Sequence, residues 1–432
     1  MQQILLPHYM KLLLKQVIIT DKNSPYNGQQ KDILIDNGKI VEIEDNLTVE
    51  DAQKISHTNL LVSPGWVDIF SLFCDPGYEH RETLETGALA AAAGGFTTVF
   101  TLPNTNPVVS TKSQVEYIIQ KCRNLPVTVL PLGAITKNAE GKELAEMYDM
   151  QNSGAIAFTD GLKTVQAAGL FLKALQYVKA FDGVLIQVPN DKSVGSIGLM
   201  NEGIMSTRLG LPGIPAIGEE IIISRDIELA AYTNSRLHIT GVSTAKALEL
   251  ITTAKKNGID VTCSVTPYHL FFCDEDLTNY DTNLKVDPPL RTRADMMALR
   301  NAVVAGHIDS IASHHIPHDT DNKICEFEYA KPGMLGLETC FQVINTLFPD
   351  AGTNQLVDLF SHNNRQMFKL DPATIQPGSD ANITLFKRDP LTNITSGKLK
   401  SKSRNSAFIG QQLKGVVIGI INKDQLYLND LN

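Results

Sequence analysis

The sequence has no excess of basic residues. Its 38 Lys and Arg face 47 Asp and Glu, for a formal net charge of −9. Nucleic acid or an anionic membrane surface would be met by a basic footprint, so neither is expected as a partner. No apolar run approaches the roughly 20 residues that span a bilayer. The six cysteines (Cys74, Cys122, Cys263, Cys273, Cys325 and Cys340) are scattered, with no Cys-x-x-Cys pair. That usage fits reduced thiols in a cytoplasmic protein. The first nine residues, MQQILLPHY, lack Lys and Arg and precede a second methionine, Met10. They lack the charged start of a signal peptide and are expected to form a flexible extension. No G-x-G-x-x-G follows a strand candidate, which removes the usual support for an open dinucleotide-binding sheet. Internal repeats and low-complexity tracts are also missing.

With 43% hydrophobic and 20% charged residues over 432 positions, the chain can build one large domain and a smaller one. Both ends are β-rich. Lys11 to Thr20 reads as a strand, and Ile33 to Ile43 as a hairpin turning at Asn37-Gly38, the pair that supplies the positive φ angles of a tight turn. Ala381–Phe386 and Val416–Asn422 mirror this at the far end. The expectation is one small β-sandwich built from residues 1–62 and 375–432, flanking a central domain over 63–374.

The centre alternates strand and helix candidates. The strands are Trp66–Phe70, Phe96–Thr101, Val127–Leu132, Ala155–Phe158, Val184–Val188, Arg236–Thr240, Asp260–Val265 and Ile308–Ala312. Helices are expected between them, including Glu82–Ala93, stopped by Gly94-Gly95, and Gly141–Gln151. This series predicts an α/β fold, a (β/α)8 TIM barrel, whose chemistry belongs at the C-terminal ends of the strands. There the chain carries Phe70-Ser71-Leu72-Phe73-Cys74, then Asn104, then Thr159-Asp160-Gly161. Val188, His238 to Gly241, Tyr268-His269 and finally His314-His315-Ile316-Pro317-His318 follow.

These segments resemble the class I dihydroorotases, cyclic amidohydrolases of pyrimidine biosynthesis in the amidohydrolase superfamily. The blocks that carry the likeness are AAAAGGFTTVFTLPNTNP, GAITKNAEGKELAE, MNEGIMSTRLGLPGIP, KVDPPLRTRADMMALRNA, IASHHIPHDTDNK and KPGMLGLET. The resemblance implies a zinc-dependent barrel with a small β-sandwich, and departures from the family pattern then stand out. The family opens with Asp-x-His-x-His-x-Arg-x-Pro-Gly. Here Asp68, Pro76 and Gly77 persist, while the two histidine positions are Phe70 and Leu72 and the arginine position is Cys74. Gly161 replaces the second acid of Phe-Ser/Thr-Asp-Asp-Gly. Val188 and Gly241 stand where the family has ligand histidines, and His314 stands at the general-base aspartate. Four of these positions, Phe70, Leu72, Val188 and Gly241, offer no side-chain donor, and zinc needs three or more.

Asn104, His318 and Gly333 match positions on the substrate side of the family's site. Asp287 stands where the family usually has Asn, and Tyr268 where it has the first His of Pro-His-His. The resulting expectation is a catalytically inactive dihydroorotase homologue, without cofactor. By family likeness it would be a structural partner of aspartate carbamoyltransferase and a homodimer. Two other readings stay open. One is an active zinc-dependent hydrolase of dihydroorotate or another cyclic amide, with a site rebuilt around His314, His315, His318 and Asp160. The other is a non-catalytic binder of dihydroorotate or carbamoyl aspartate through Asn104 and His318.

Overall fold

The protein is described here by a computed structural model covering residues 11–430; the expected N-terminal extension lies outside them. The N-terminal strands are β1 (Lys11–Ile19), β2 (Gln30–Asp36), β3 (Lys39–Glu44), β4 (Gln53–Ser56) and β5 (Leu61–Pro64). The β2–β3 turn has positive φ at both Asn37 (50°) and Gly38 (73°), as a type I′ turn requires. Strand β1 bends at Gln16, where φ is 51°. Its first half pairs with β4 and its second half with β5. Buried Asp32 supports the bend by accepting from the backbone N–H groups of Gln16 and Leu47, both at 2.8 Å, and from Lys15.

The central strands are β6 (Trp66–Ser71), β7 (Phe96–Thr101), β8 (Thr128–Pro131), β9 (Val184–Gln187), a short pair β10 (Met200–Asn201) and β11 (Gly213–Ile214), β12 (Arg236–Thr240), β13 (Val261–Val265) and β14 (Ser310–Ile311). The chain then returns to the terminal sheet as β15 (Asn382–Asn393), β16 (Gln412–Asn422) and β17 (Gln425–Leu428). The sheet from both termini runs β17-β16-β15-β5-β1-β2-β3, with β4 on β1. By hydrogen bonding it is one eight-stranded sheet. Its own core includes Leu14, Ile33, Val62, Ile383 and Ile418.

All pairings within the two larger central sheets are parallel. Strands β6, β7 and β8 form one, and β9, β12, β13 and β14 form the other. The expected α/β alternation is present, but hydrogen bonding divides the eight strand positions into two parallel sheets joined by isolated bridges rather than one continuous closed ladder. At one seam, Ala155–Phe158 is not a strand. It donates from Ile156 to the Pro131 carbonyl (3.1 Å) and from Phe158 to Val184 (3.1 Å). Pro131 has no N–H to extend the isolated Gly133–Phe158 bridge into a ladder, and a second isolated bridge joins Phe158 to Leu185. At the other seam, Leu72 donates to the His315 carbonyl (2.9 Å), but His314 has a φ of 43° and interrupts the β conformation.

The helices between the strands follow their caps. Leu84–Ala93 starts at a Thr83–Thr86 capping box and stops at Gly94 and Gly95. A Cβ on Gly94 would lie 2.3 Å from the Leu337 carbonyl oxygen, so close approach as well as helix termination demands glycine. The helix expected over 141–151 is only Met147–Asn152. The preceding segment folds back through positive φ at Asn138 and Ala139, and a Thr136–Leu144 bridge holds it. No described helix is long and apolar enough to cross a membrane.

Candidate functional site at the strand ends

Strand β6 sends its C-terminal residues into an apolar cluster. Phe70 (0% exposed), Leu72 (2%), Cys74 and Val188 (5%) pack there with Phe100, Leu132, Ile186, Ala312, Ile316 and Phe368. Three positions that would carry metal-binding histidines in the family are thus parts of one hydrophobic contact surface. Burying these side chains is itself favourable, by roughly 1.5–3 kcal/mol each for Phe, Leu or Val. Burial pushes the Cys74 thiol up to about 12, so it stays protonated and inert.

Asp68 is fully buried beside this cluster. It accepts from the Ser313 N–H (2.7 Å), the Ser71 hydroxyl (2.5 Å) and the Phe70 N–H (3.3 Å). Burial raises its pKa, opposed by these donors. Its oxygens tie β6 to the segment after β14.

His314, at the general-base position, stacks on Phe70 with ring centroids 4.3 Å apart. Its Nε2 pairs with the Thr240 hydroxyl at 2.8 Å. From there a chain of short hydrogen bonds runs through Ser264 (2.8 Å) and His238 Nε2 (3.0 Å) to Thr262 at His238 Nδ1 (2.8 Å). His314 Nδ1 is buried and unpartnered. Burial, with His269 and His238 nearby, holds His314 well below the ordinary histidine range, and burial takes His238 to about 3. Both are neutral at physiological pH. Gly241 has a φ of 72°, and a Cβ there would lie 2.8 Å from His314 Cε1. The space and backbone of a histidine at 241 are therefore already taken by His314.

The other histidines point into separate surroundings. His315 Nε2 lies 3.5 Å from Glu82, with both side chains fully buried. Burial raises the Glu82 pKa, but His315, Ser401 and Thr86 outweigh it and leave the carboxylate below its ordinary value. His318 Nε2 faces the Pro332 carbonyl (3.0 Å), its Nδ1 has no partner, and burial takes it to about 3. Gly333 is adjacent: a Cβ on it would lie 3.0 Å from His318 Nε2. His269 bonds to Thr266 (2.8 Å) and the Pro288 carbonyl (3.0 Å).

Asn104 is used structurally. Its amide donates to the Asp160 carbonyl (3.0 Å), and its oxygen accepts from the Leu162 N–H (3.0 Å). Gly161 sits between, with φ 63°, and a Cβ there would lie 1.7 Å from Asn104 Oδ1. Asp160 accepts from Thr136 through both its N–H (2.9 Å) and its hydroxyl (2.5 Å). Asp287 accepts from Asn190 (3.1 Å); burial raises its pKa, opposed by Arg291. The Tyr268 hydroxyl is buried without a partner.

Among the described residues, no three His, Cys, Asp or Glu side chains converge to hold a metal ion. His314, His315 and His318 do not share a face, and Asp68 and Asp160 spend their oxygens on backbone and hydroxyl donors. The residues present do not fit the zinc centre that the family resemblance implies. The hydroxyl–histidine chain is a feature the sequence reading missed. Its signal was the alternation of His238 with Thr240, and of Thr262 with Ser264, along two buried parallel strands.

Comparison with known proteins places this geometry in a family. The dihydro-orotase-like family model matches residues 59–247. A dihydroorotase of Syntrophus aciditrophicus is 39% identical over 414 residues, covering 95% of this chain and 97% of its own. One from Thermoanaerobacter sp. is 42% identical over 94% of this chain and 95% of its own. Among solved structures, the L-hydantoinase (dihydropyrimidinase) of Arthrobacter aurescens superposes with a TM-score of 0.84 at 23% identity, covering 98% and 96%. A dihydropyrimidinase from Brevibacillus agri gives 0.80 at 20% identity, covering 97% and 95%. The structural matches speak for an amidohydrolase fold, and the sequence matches, near 40% along almost the whole length, show that this chain belongs to the dihydroorotase-like family.

Proposed function

We propose that this chain is a non-hydrolytic member of the dihydroorotase family, with its two parallel sheets arranged as the family's barrel. The observation that carries this reading is the Phe70–His314 stack inside an apolar cluster that also contains Leu72 and Val188. Hydrolysis of a cyclic amide near neutral pH needs an activated water and a group to take its proton. The ligand positions that would supply the first are apolar or glycine. At the base position, His314 spends Nε2 on Thr240 and lies against a phenyl ring. By family resemblance, its role is as a structural partner of aspartate carbamoyltransferase, as a homodimer. Metal analysis of the purified full-length chain tests the inactive reading. Substoichiometric zinc after growth in zinc-supplemented medium is expected, and two zinc atoms per chain would overturn it. For the partner, co-expression with the same cell's aspartate carbamoyltransferase should give one co-eluting peak; separate elution at micromolar concentration refutes a stable complex.

A second reading is an active dihydroorotase. It is favoured by identities near 40% to proteins named dihydroorotase. A third is a non-catalytic binder of dihydroorotate or carbamoyl aspartate. It is favoured by a cavity of about 220 Å3 lined by His318, Lys323 and Arg404, though Asn104 is engaged elsewhere. Calorimetry with each compound separates this from the first reading: no heat with either removes the binder.

A further inference from the structure

The loop over residues 319–333, after β14, is pinned from below and bare above. Lys323, Phe327 and Ala330 are buried. The Lys285 ammonium donates to the carbonyls of Phe327 (2.7 Å) and Glu328 (3.0 Å), and the Lys323 ammonium to those of Lys331 (2.9 Å) and Gly333 (3.0 Å). The Thr282 hydroxyl adds a bond to the Lys323 carbonyl (2.7 Å). On the outer face Ile324 is 80% exposed and Tyr329 71%. Asp321, Glu326 and Glu328 are exposed on the same loop, and none has an ion-pair partner among the described residues. A loop ordered in advance loses little freedom when a partner covers it.

A cationic edge abuts this loop. Lys402 and Arg404 are exposed, and neither meets a carboxylate among the described residues. Lys402 donates to the Glu79 carbonyl (2.7 Å), and Arg404 to the carbonyls of Ser401 and Ser403. Their backbone is fixed by the Ser403 hydroxyl on the Arg81 carbonyl (2.7 Å) and by the Lys402 N–H on Glu82 (3.0 Å). Asn405 donates to the Gly333 carbonyl (3.1 Å), which also accepts from Lys323. One carbonyl thus anchors both segments, and Ile324 and Arg404 line one cavity between them. The acids Asp319 and Glu79 are engaged: Asp319 accepts from the Asn322 N–H (2.9 Å) and faces His80 (3.4 Å), and Glu79 accepts from the Gly77 N–H (2.8 Å).

Acidic, apolar and basic side chains therefore lie side by side on one fixed surface. Such a surface complements itself. A two-fold rotation beside Ile324 sets the acids of each copy against the cations of the other and brings the apolar side chains together. A chain of net charge −9 repels its own copy at long range, so copies meet best where cations face acids.

We infer that the 321–329 loop and the Lys402–Arg404 edge form the face through which two copies of this chain dimerise. The inference rests on the homodimer of the proposed function and assigns its face.

The test is sedimentation velocity on the full chain. The wild type should be a dimer at micromolar concentration, weakened about tenfold when salt rises from about 0.05 to about 0.5 M. Glu326→Lys with Glu328→Lys, and separately Lys402→Glu with Arg404→Glu, should each weaken dimerisation by about tenfold or more, with circular dichroism unchanged. Mixed in equal amounts, these two double variants should recover a dimer, because each reversed segment then meets its opposite. Ile324→Ser, at an exposed position, should weaken the dimer by about tenfold and keeps the test decisive should a charge reversal fail to fold. A monomeric wild type would overturn the homodimer and this face together. A wild-type dimer that no folded variant alters, or double variants that associate no better mixed than alone, would overturn the face and leave the homodimer standing. Variants that stay dimeric but lose aspartate carbamoyltransferase would give the face to that partner, which also overturns the inference.

Discussion

Phe70 and His314 occupy each other's space, and that contact is the residue-scale basis of the account. Truncating Phe70 to Ala removes a ring that is 0% exposed and leaves a cavity against His314. Urea unfolding should show a loss of about 3–5 kcal/mol. A loss under 1 kcal/mol would mean the ring is not packed. Gly161 is constrained in another way. With φ 63° and Asn104 Oδ1 where a Cβ would go, Gly161→Ala should cost about 1–3 kcal/mol in the same assay. Gly161→Asp, which restores the family's acid, should fare no better. His238 carries a pH signature. Its pKa is about 3 when folded and ordinary when unfolded, so the unfolded chain binds more protons between these values. Its contribution is fully present above about pH 6.5 and is lost as pH falls toward 3. The wild type should therefore lose up to about 1.4 kcal/mol per pH unit more than His238→Gln in that window. Equal acid slopes would contradict a buried neutral His238. By family resemblance, the sequence pointed to Phe70, Leu72, Val188 and Gly241 as the positions of family ligands. It did not show that Asn104 closes over Gly161, or that His314 turns to Thr240, because both depend on side chains from distant strands meeting.

At the scale of elements, buried carboxylates tie the strand ends together. Asp68 joins β6 to the segment after β14, and Asp160 joins its loop to Thr136. Glu82 and Glu338 hold the backbone of residues 400–402. Replacing Glu82 with Ala leaves the Lys402 N–H and the Ser401 hydroxyl without their acceptor. Amide exchange at Lys402 should accelerate by about tenfold or more, with a stability loss of about 3 kcal/mol. Unchanged exchange would show that Glu82 does not fix the loop. The elements themselves were largely legible: the Asn37-Gly38 hairpin, the Gly94-Gly95 helix stop and most of the parallel strands follow from local patterns. Ala155–Phe158 was not, since its ladder fails at Pro131 on a neighbouring strand. The short Met147–Asn152 helix was not either, since a helix-like pattern over 141–145 yields to backbone pairing between Thr136 and Leu144.

For the whole molecule, a family fold persists over nearly the full chain, while the proposed function rests on a joint change at the positions that define the family's chemistry. Fold and activity are separable in this way because packing is distributed over hundreds of contacts and catalysis over a few side chains. Phe70, Leu72 and Val188 add to the core, and on the proposed reading the fold gains there what a metal site would have given up. Near-40% identity speaks to the shared fold and descent; the proposed absence of hydrolysis rests on the strand ends. The most direct measurement is turnover of dihydroorotate by the purified full-length chain with excess zinc, read as N-carbamoyl-aspartate formed. The account predicts no product above the rate without protein. Sustained turnover on the order of 1 s⁻¹ or faster, as ordinary enzymes show, would contradict it.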